Sequence, residues 1–118
     1  MQVTCLIVDD NALFLEAASA LLTRGGLDVV GVASNSADAL RLVAQLQPDV
    51  TLVDVDLGDE DGFELTCRLS DAGSKVILVS THAEVDLAPL IAESPALAFV
   101  SKTRLSAQAV HDALERAA

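Results

Sequence analysis

The chain has 118 residues, a length typical of one domain, and 52% of them are hydrophobic while 21% are charged. That balance excludes an intrinsically disordered chain and allows a sizeable buried core. The formal net charge of −11 excludes an unaided contact with nucleic acid or an anionic membrane, and it favours a cation or a partner with a basic surface.

Strand and helix patterns alternate along the whole sequence. Short apolar runs predict strands, and stretches whose apolar residues recur every three or four positions predict helices. In chain order the predicted elements are strand Val3–Val8, helix Ala12–Thr23, strand Leu27–Ala33, helix Ala37–Leu46, strand Val50–Val53, helix Phe63–Ser70, strand Lys75–Val79, helix Val85–Glu93, strand Ala96–Val100 and a last helix capped by Ser106. This alternation predicts one α/β domain over residues 1–118, with a five-stranded parallel sheet and helices on both faces.

Capping residues support the helix starts. Asn11, Ser36 and Ser106 are residue types that begin helices, and each stands directly before a predicted one. The helix Val85–Glu93 is the weakest of the set, because Pro89 lies inside it and removes a backbone hydrogen bond.

Targeting and membrane signals are absent from the sequence pattern. No charged and then apolar leader opens the chain, and no apolar run approaches the roughly 18 residues of a membrane span. We therefore expect a cytoplasmic domain that contacts neither a membrane nor nucleic acid.

Polar side chains follow four of the five predicted strands. Asp9 and Asp10 follow the first strand, Asp54 the third, Ser80 the fourth and Lys102 the fifth. Because the carboxyl ends of parallel strands meet at one edge of a sheet, we expect these side chains in one crevice. Clustered carboxylates repel one another and are tolerated when a hard cation such as Mg²⁺ binds among them. Together with an ammonium, a hydroxyl and an ionised aspartate as nucleophile, that set predicts phosphoryl transfer.

Four sequence runs, in order and spread over the whole chain, resemble response-regulator receiver domains. They are Leu6–Asp10, Leu52–Gly62, Val79–Thr81 and Phe99–Lys102. The resemblance implies a flavodoxin-like fold with strand order 2-1-3-4-5. It also implies a two-component signalling switch that accepts a phosphoryl group from a sensor histidine kinase or a phosphotransfer protein.

The resemblance assigns a role to each matching residue. It implies that Asp54 is the phosphoacceptor and that Ser80 and Lys102 bind the phosphoryl group. It implies that Mg²⁺ is held by Asp9, Asp10, Asp54 and the backbone carbonyl of Asp56. Phe99 is implied to be a side chain that moves on activation, and His82 and Asp56 to be modulators. The implied readout surface comprises the fourth helix, the fifth strand and the last helix. Static core packing of Phe99 and plain solvent exposure of His82 stay open as alternatives.

Two positions differ from the receiver pattern. Gly58 and Thr103 stand where receivers commonly have proline. The bond before that second proline is usually cis in the family, and a cis bond before another residue type costs about 2.5–4 kcal/mol. The sequence therefore leaves the conformation of the Lys102–Thr103 bond open.

Two other functions compete with the signalling switch. The run Asp54–Asp56 also resembles the nucleophile motif of haloacid-dehalogenase-like phosphatases, but Gly58 stands where that family has Thr or Val, and the chain lacks room for the usual cap domain. A receiver-like scaffold that works without phosphorylation is the second alternative, and the complete acidic set argues against it. We expect a phosphoacceptor rather than a turnover enzyme. The cognate kinase, a homodimer and a downstream output domain all stay open.

Overall fold

The five apolar runs form one parallel sheet in a computed structural model that describes residues 2–117. The strands are β1 (Thr4–Val8), β2 (Asp28–Ala33), β3 (Val50–Asp54), β4 (Val76–Ser80) and β5 (Ala98–Ser101). Their spatial order is β2-β1-β3-β4-β5, and every neighbouring pair is parallel. The order 2-1-3-4-5 is thereby confirmed, and all five strands end at the same edge of the sheet.

Five helices cover the two faces of the sheet. They are α1 (Ala12–Arg24), α2 (Ser36–Leu46), α3 (Gly62–Asp71), α4 (Glu84–Glu93) and α5 (Ala107–Ala117). Helices α1 and α5 pack on one face, and α2, α3 and α4 contribute to the core on the other. Within residues 2–117, none of these helices has the length and apolar character that crossing a membrane requires.

The central strands β3 and β4 are buried along their whole length. Successive side chains alternate between the two cores, so that Leu52 packs beneath α1 and α5 while Val53 packs beneath α2 and α3. Full burial of a Leu or Val side chain contributes about 1.5–3 kcal/mol. The strand ends that carry Asp54 and Ser80 are thus anchored in the buried centre of the sheet.

Two of the three predicted helix caps are confirmed. Asn11 Oδ1 accepts hydrogen bonds from the backbone of the first turn of α1, and Ser106 Oγ accepts one from Ala109 N at 3.0 Å. The third prediction is wrong, because Ser36 is already helical and Asn35 caps α2 by accepting from Asp38 N at 2.8 Å. Both residue types suit a cap, and the extended backbone of Asn35 decides between them.

The loop after β3 contains more structure than its composition predicted. Asp56–Leu57 and Glu60–Asp61 pair as a small antiparallel hairpin, which we call the acidic hairpin (residues 56–61). Gly58 makes its turn with φ +66, a left-handed conformation that suits glycine. At the far end of the hairpin, a Cβ on Gly62 would collide with the backbone of Asp54 and Val55. A glycine at 62 therefore lets α3 begin directly against the end of β3.

Candidate functional site

The crevice is built from the carboxyl ends of β1 and β3. Asp9, just after β1, is buried, and its Oδ1 accepts a hydrogen bond from Asn11 N at 2.8 Å. Asp54, the last residue of β3, is also buried, and its Oδ1 accepts from Asp56 N at 3.2 Å. Asp10 is exposed at the mouth of the crevice. Backbone donors thus fix the orientation of the two buried carboxylates.

These three aspartates form a cluster that could hold a metal ion. Asp9, Asp10 and Asp54 each offer a carboxylate oxygen, and the three oxygens lie within 4.8 Å of one another. Among residues 2–117 no hydrogen-bond donor is aligned with the buried Asp9 Oδ2, although Lys102 Nζ approaches it to 2.6 Å. An oxygen-only donor set with a buried, incompletely satisfied carboxylate oxygen fits a hard divalent cation.

Lys102 places a positive charge in this cluster. Its Nζ donates a hydrogen bond to Asp54 Oδ2 at 3.1 Å and forms a closer ion pair with Asp9. Burial by itself lowers the pKa of the ammonium, but the contacts with Asp9 and Asp54 outweigh burial and leave the pKa of Lys102 raised above its ordinary value. Lys102 is therefore charged throughout the physiological range.

Asp54 has a perturbed acidity. Burial raises its pKa from 3.8 to about 6, and the nearby charge of Asp9 adds to the increase. The hydrogen bond from Asp56 N and the contacts of Lys102 lower the pKa and offset only part of that increase. At pH 7 the carboxylate is still mainly ionised, so it keeps the lone pairs that a nucleophile needs.

Ser80 ends β4 beside Asp54. Its neighbour Val79 pairs with Asp54 across the sheet, and the Ser80 side chain is buried. Ser80 Oγ accepts a hydrogen bond from His82 N at 3.0 Å, which fixes the hydroxyl to the start of the following loop. The hydroxyl therefore lies at the same sheet edge as the carboxylates, as the sequence predicted.

His82 and Asp56 meet at the mouth of the crevice. His82 Nε2 lies 3.2 Å from Asp56 Oδ2, and both side chains are largely exposed. Phe99, further along the β4–β5 pairing, lies opposite Leu78 and is half-buried against the core of α2 and α3. Every residue that the sequence assigned to the site is thus placed near this edge or in the strand that leads to it.

The Lys102–Thr103 bond is trans, since the structure contains no cis peptide between residues 2 and 117. Residues Lys102–Arg104 form a short 3₁₀ turn, and Ser101 Oγ lies 3.0 Å from Thr103 Oγ1. The backbone after Lys102 therefore has a trans peptide bond, with Thr103 in the position where receivers commonly have proline.

Two contacts near the site were not predicted. The ring of Phe14 lies beneath Lys102, with Nζ 4.2 Å from the ring centroid. Glu60 Oε1 accepts a hydrogen bond from Ser36 N at 2.8 Å and ties the acidic hairpin to the start of α2. Phe14 lies three residues after the Asn11 cap, on the apolar face of α1, and that position by itself predicts a core side chain rather than a contact with Lys102.

Comparison with known proteins gives a consistent result. A family model described as response regulator receiver domain matches residues 5–115. The transcriptional regulatory protein LiaR of Bacillus subtilis is 32% identical over 117 residues, which are 95% of this chain and 54% of LiaR. A protein-glutamate methylesterase/protein-glutamine glutaminase of Halobacterium salinarum is 40% identical over 82 residues, which are 69% of this chain and 24% of that protein. The chain thus spans about a quarter to a half of the length of these relatives.

Solved structures show the same similarity. The signal receiver domain of NarL from Mycobacterium tuberculosis superimposes with a TM-score of 0.86 at 28% identity, covering 97% of each chain. The receiver domain of a modulated diguanylate cyclase from Desulfovibrio desulfuricans gives a TM-score of 0.82 at 28% identity, covering 98% of this chain and 93% of that one.

Proposed function

The chain belongs to the response regulator receiver domain family, and on that basis we propose that Asp54 accepts a phosphoryl group from a phosphohistidine. The observation that carries the proposal is the position of Lys102 Nζ between the buried carboxylates of Asp9 and Asp54, within a three-aspartate cluster. A cation held beside an ionised, buried aspartate reduces the charge repulsion that an incoming anionic phosphoryl group would meet there.

The donor set suits Mg²⁺ as the cofactor of this reaction. Asp9, Asp10, Asp54 and the backbone carbonyl of Asp56 would hold the ion. When bound, Mg²⁺ supplies two positive charges that neutralise the developing charge on phosphoryl oxygens. With Lys102, it would balance the three carboxylates.

The residues of the chain have separate roles in the transfer. An oxygen of Asp54 attacks phosphorus, an O–P bond forms, and the N–P bond of the phosphohistidine breaks with its electron pair staying on the imidazole nitrogen. The hydrogen bonds from Asp56 N and Lys102 Nζ hold the plane of the attacking carboxylate. Lys102 and the Ser80 hydroxyl then bind oxygens of the transferred group, as positioning and charge stabilisation demand.

Phosphorylation is proposed to change the surface of α4, β5 and α5. To reach a phosphoryl oxygen, the Ser80 hydroxyl gives up its hydrogen bond from His82 N, and Phe99 follows into the space behind it. Helix α4 is suited to move because none of its residues is buried, Pro89 inside it cannot donate a backbone hydrogen bond, and its cap residue Ala83 makes no side-chain hydrogen bond. Val85 and Leu90 expose 77% and 50% of their surface on this helix, which leaves apolar area for a partner.

The partner and the output are also proposals. The named relatives are regulators or methylesterases at least about twice as long as the aligned region, so a phosphorylated receiver here would act on an output domain or a second protein. The receiver is a phosphoacceptor, and we propose no turnover chemistry for it. A sensor histidine kinase or phosphotransfer protein would supply the phosphoryl group, and a cytoplasmic location stays a prediction.

The proposal is tested by labelling with acetyl phosphate and Mg²⁺, followed by mass spectrometry of the intact protein. Wild type should gain one phosphoryl group and Asp54→Asn none, while Asp56→Asn, a matched loss of a carboxylate two residues away, should still be labelled. Label on the Asp54→Asn protein would assign the acceptor to another residue. If wild type takes no label from either acetyl phosphate or a phosphohistidine donor, a receiver-like scaffold that works without phosphorylation would be favoured. Steady hydrolysis of p-nitrophenyl phosphate would instead show a phosphatase.

A further inference from the structure

The ammonium of Lys102 contacts three groups. Two are the carboxylates of Asp9 and Asp54, and the third is the face of the Phe14 ring, 4.2 Å from Nζ to the centroid. Phe14 lies in the first turn of α1, where it is half-buried and packs against the core beneath that helix. The ring is therefore fixed by packing and presents its face to the lysine.

An aromatic face attracts a cation through its electron-rich ring, and the attraction is larger where water is excluded. The side chain of Lys102 is only 14% exposed, so water competes little with the ring. The ring has no charge and no strong acceptor atom. It therefore holds the ammonium without competing with phosphoryl oxygens for the N–H donors of Lys102. An aliphatic side chain at 14 could fill the space but would not attract the charge.

Beyond its contacts with Asp9 and Asp54, Lys102 has little restraint from its own backbone. A lysine stem has several rotatable bonds, and the next residue is Thr103, which does not fix the chain as a proline would. The hydroxyl contact between Ser101 and Thr103 is exposed to solvent. Phe14 reaches Lys102 from another element, α1, whose first turn is itself tied to the site through the Asn11 cap.

We propose that Phe14 is a positioning residue for phosphoryl transfer, and that its ring face holds the Lys102 ammonium over Asp54. This inference rests on the proposed role of Asp54 as phosphoacceptor. It predicts that the electron density of the ring, and not only its shape, sets the rate at which Asp54 is phosphorylated.

The experiment replaces Phe14 with phenylalanines that carry one, two and three fluorine atoms on the ring, which weaken the attraction for a cation stepwise at nearly constant shape. Labelling by acetyl phosphate with Mg²⁺ should slow at each step, to about tenfold in total for a partly desolvated cation–π contact. Phe14→Tyr keeps the ring face and should label nearly as fast as wild type, whereas Phe14→Leu should match the slowest fluorinated protein.

Fluorination of Phe63 is the matched control, since Phe63 is also half-buried and packs against the other core. Stepwise fluorination of Phe14 should lower the urea midpoint of unfolding when residue 102 is lysine. The same fluorination should leave the midpoint unchanged in the Lys102→Met protein. A labelling rate that is unchanged along the Phe14 series, or that falls equally along the Phe63 series, would overturn the inference. If wild type takes no label, the proposed function fails instead, and the unfolding series alone decides whether Phe14 holds Lys102.

Discussion

Lys102 Nζ donates to Asp54 Oδ2 at 3.1 Å, yet the pKa of Asp54 is raised to about 6. Burial of the carboxylate is the largest cause of that increase, and Asp9 adds to it. The charged form of Asp54 is thus held in the native state at a cost in folding free energy. The site is built for a further cation or a phosphoryl group rather than for stability, which is common where function needs a perturbed acid.

Asp54→Asn should therefore stabilise the protein at neutral pH. Because the folded pKa lies above the unfolded value of 3.8, the native state binds more protons between these values, and wild-type stability falls as pH rises from about 4 to 6. The difference in pKa corresponds to at most about 3 kcal/mol, so we expect a gain of about 1–3 kcal/mol for the variant at pH 7.5. Urea unfolding at pH 3.5, 5 and 7.5, without Mg²⁺, checks this.

The gain of Asp54→Asn should nearly disappear at pH 3.5, where the wild-type side chain is protonated in the native state and already more than half protonated in the unfolded state. Asp56→Asn serves as a control, because Asp56 is exposed and its loss should change stability little. A gain that is the same at all three pH values would show that the effect comes from packing and not from ionisation.

Mg²⁺ should raise the melting temperature, because the ion binds the native cluster and relieves repulsion among its carboxylates. At ten times the Kd the stabilisation is about 1.4 kcal/mol, or roughly 5 °C for a domain of this size. EDTA should reverse the shift. Differential scanning calorimetry with and without the ion measures it.

The matched variants for the Mg²⁺ experiment are Asp9→Asn and Asp59→Asn, which remove the same charge. Asp9 belongs to the cluster, and Asp59 lies in the turn of the acidic hairpin outside it. Only Asp9→Asn should abolish the shift. An equal loss in both variants would indicate nonspecific screening of the negative surface.

Gly58→Pro should destabilise the protein although receivers commonly have proline at that position. Gly58 has φ +66, and a proline ring fixes φ near −65°. The acidic hairpin could not keep its turn, and the hydrogen bond from Ser36 N to Glu60 would be lost with it. We expect a loss of about 2 kcal/mol or more in urea unfolding.

Gly58→Asn is the control for the turn, because asparagine tolerates the left-handed region better than other residues with side chains. Its Cβ would lie only 3.2 Å from Asp10 Oδ2, but the Asp10 side chain is exposed and can move aside, so the variant should lose less than about 1 kcal/mol. If Gly58→Pro were as stable as wild type, the hairpin would not be the native form of this loop.

The strand ends explain why most of the site could be predicted from the sequence. Asp9, Asp54, Ser80 and Lys102 each follow an apolar run, and parallel strands bring such positions to one edge whatever the details of the loops. Each of these placements depends only on local pattern and on the alternation of strand and helix.

The features that were not predicted depend on contacts between residues far apart in the chain. The acidic hairpin has no alternating apolar pattern, and its tie to α2 is a single hydrogen bond between Glu60 and Ser36 N. The contact of Phe14 with Lys102 joins α1 to the end of β5. Because the apolar pattern of a helix gives the buried face but not the atom that a ring touches, sequence periodicity could not show this contact.

Beryllofluoride, a mimic of the phosphoryl group, should shift amide signals mainly in α4, β5 and α5. Phe99 lines a cavity of about 480 Å³ with residues of α4, β5 and α5, so a rearrangement of its ring would be felt in all three elements. Phe99→Leu should shrink the shifts in α4 by about half or more, and Phe63→Leu should not. NMR spectra of the amide groups before and after addition measure the effect. Shifts confined to the loops around Asp54 would contradict the proposed surface.

His82 should set the lifetime of the phosphorylated form. In the structure His82 Nε2 contacts Asp56 Oδ2 at 3.2 Å across the mouth of the crevice, and a surface pair of this kind contributes only about 0–1 kcal/mol. An imidazole held by Asp56 covers the approach to Asp54, whereas an imidazole released from Asp56 is free to orient an attacking water.

His82→Ala should therefore lose the phosphoryl group more slowly than wild type, by about tenfold, which is less than the 10²–10⁴ of a full general base. Asp56→Ala, which removes the partner but keeps the imidazole, should lose the phosphoryl group faster than wild type, because His82 no longer has a carboxylate to hold it away from the attacking water. The measurement is the decay of labelled protein for the three proteins under one set of conditions. Equal decay rates for wild type and His82→Ala would reduce His82 to a surface residue and leave Asp56, through its own carboxylate, as the group that controls the attacking water.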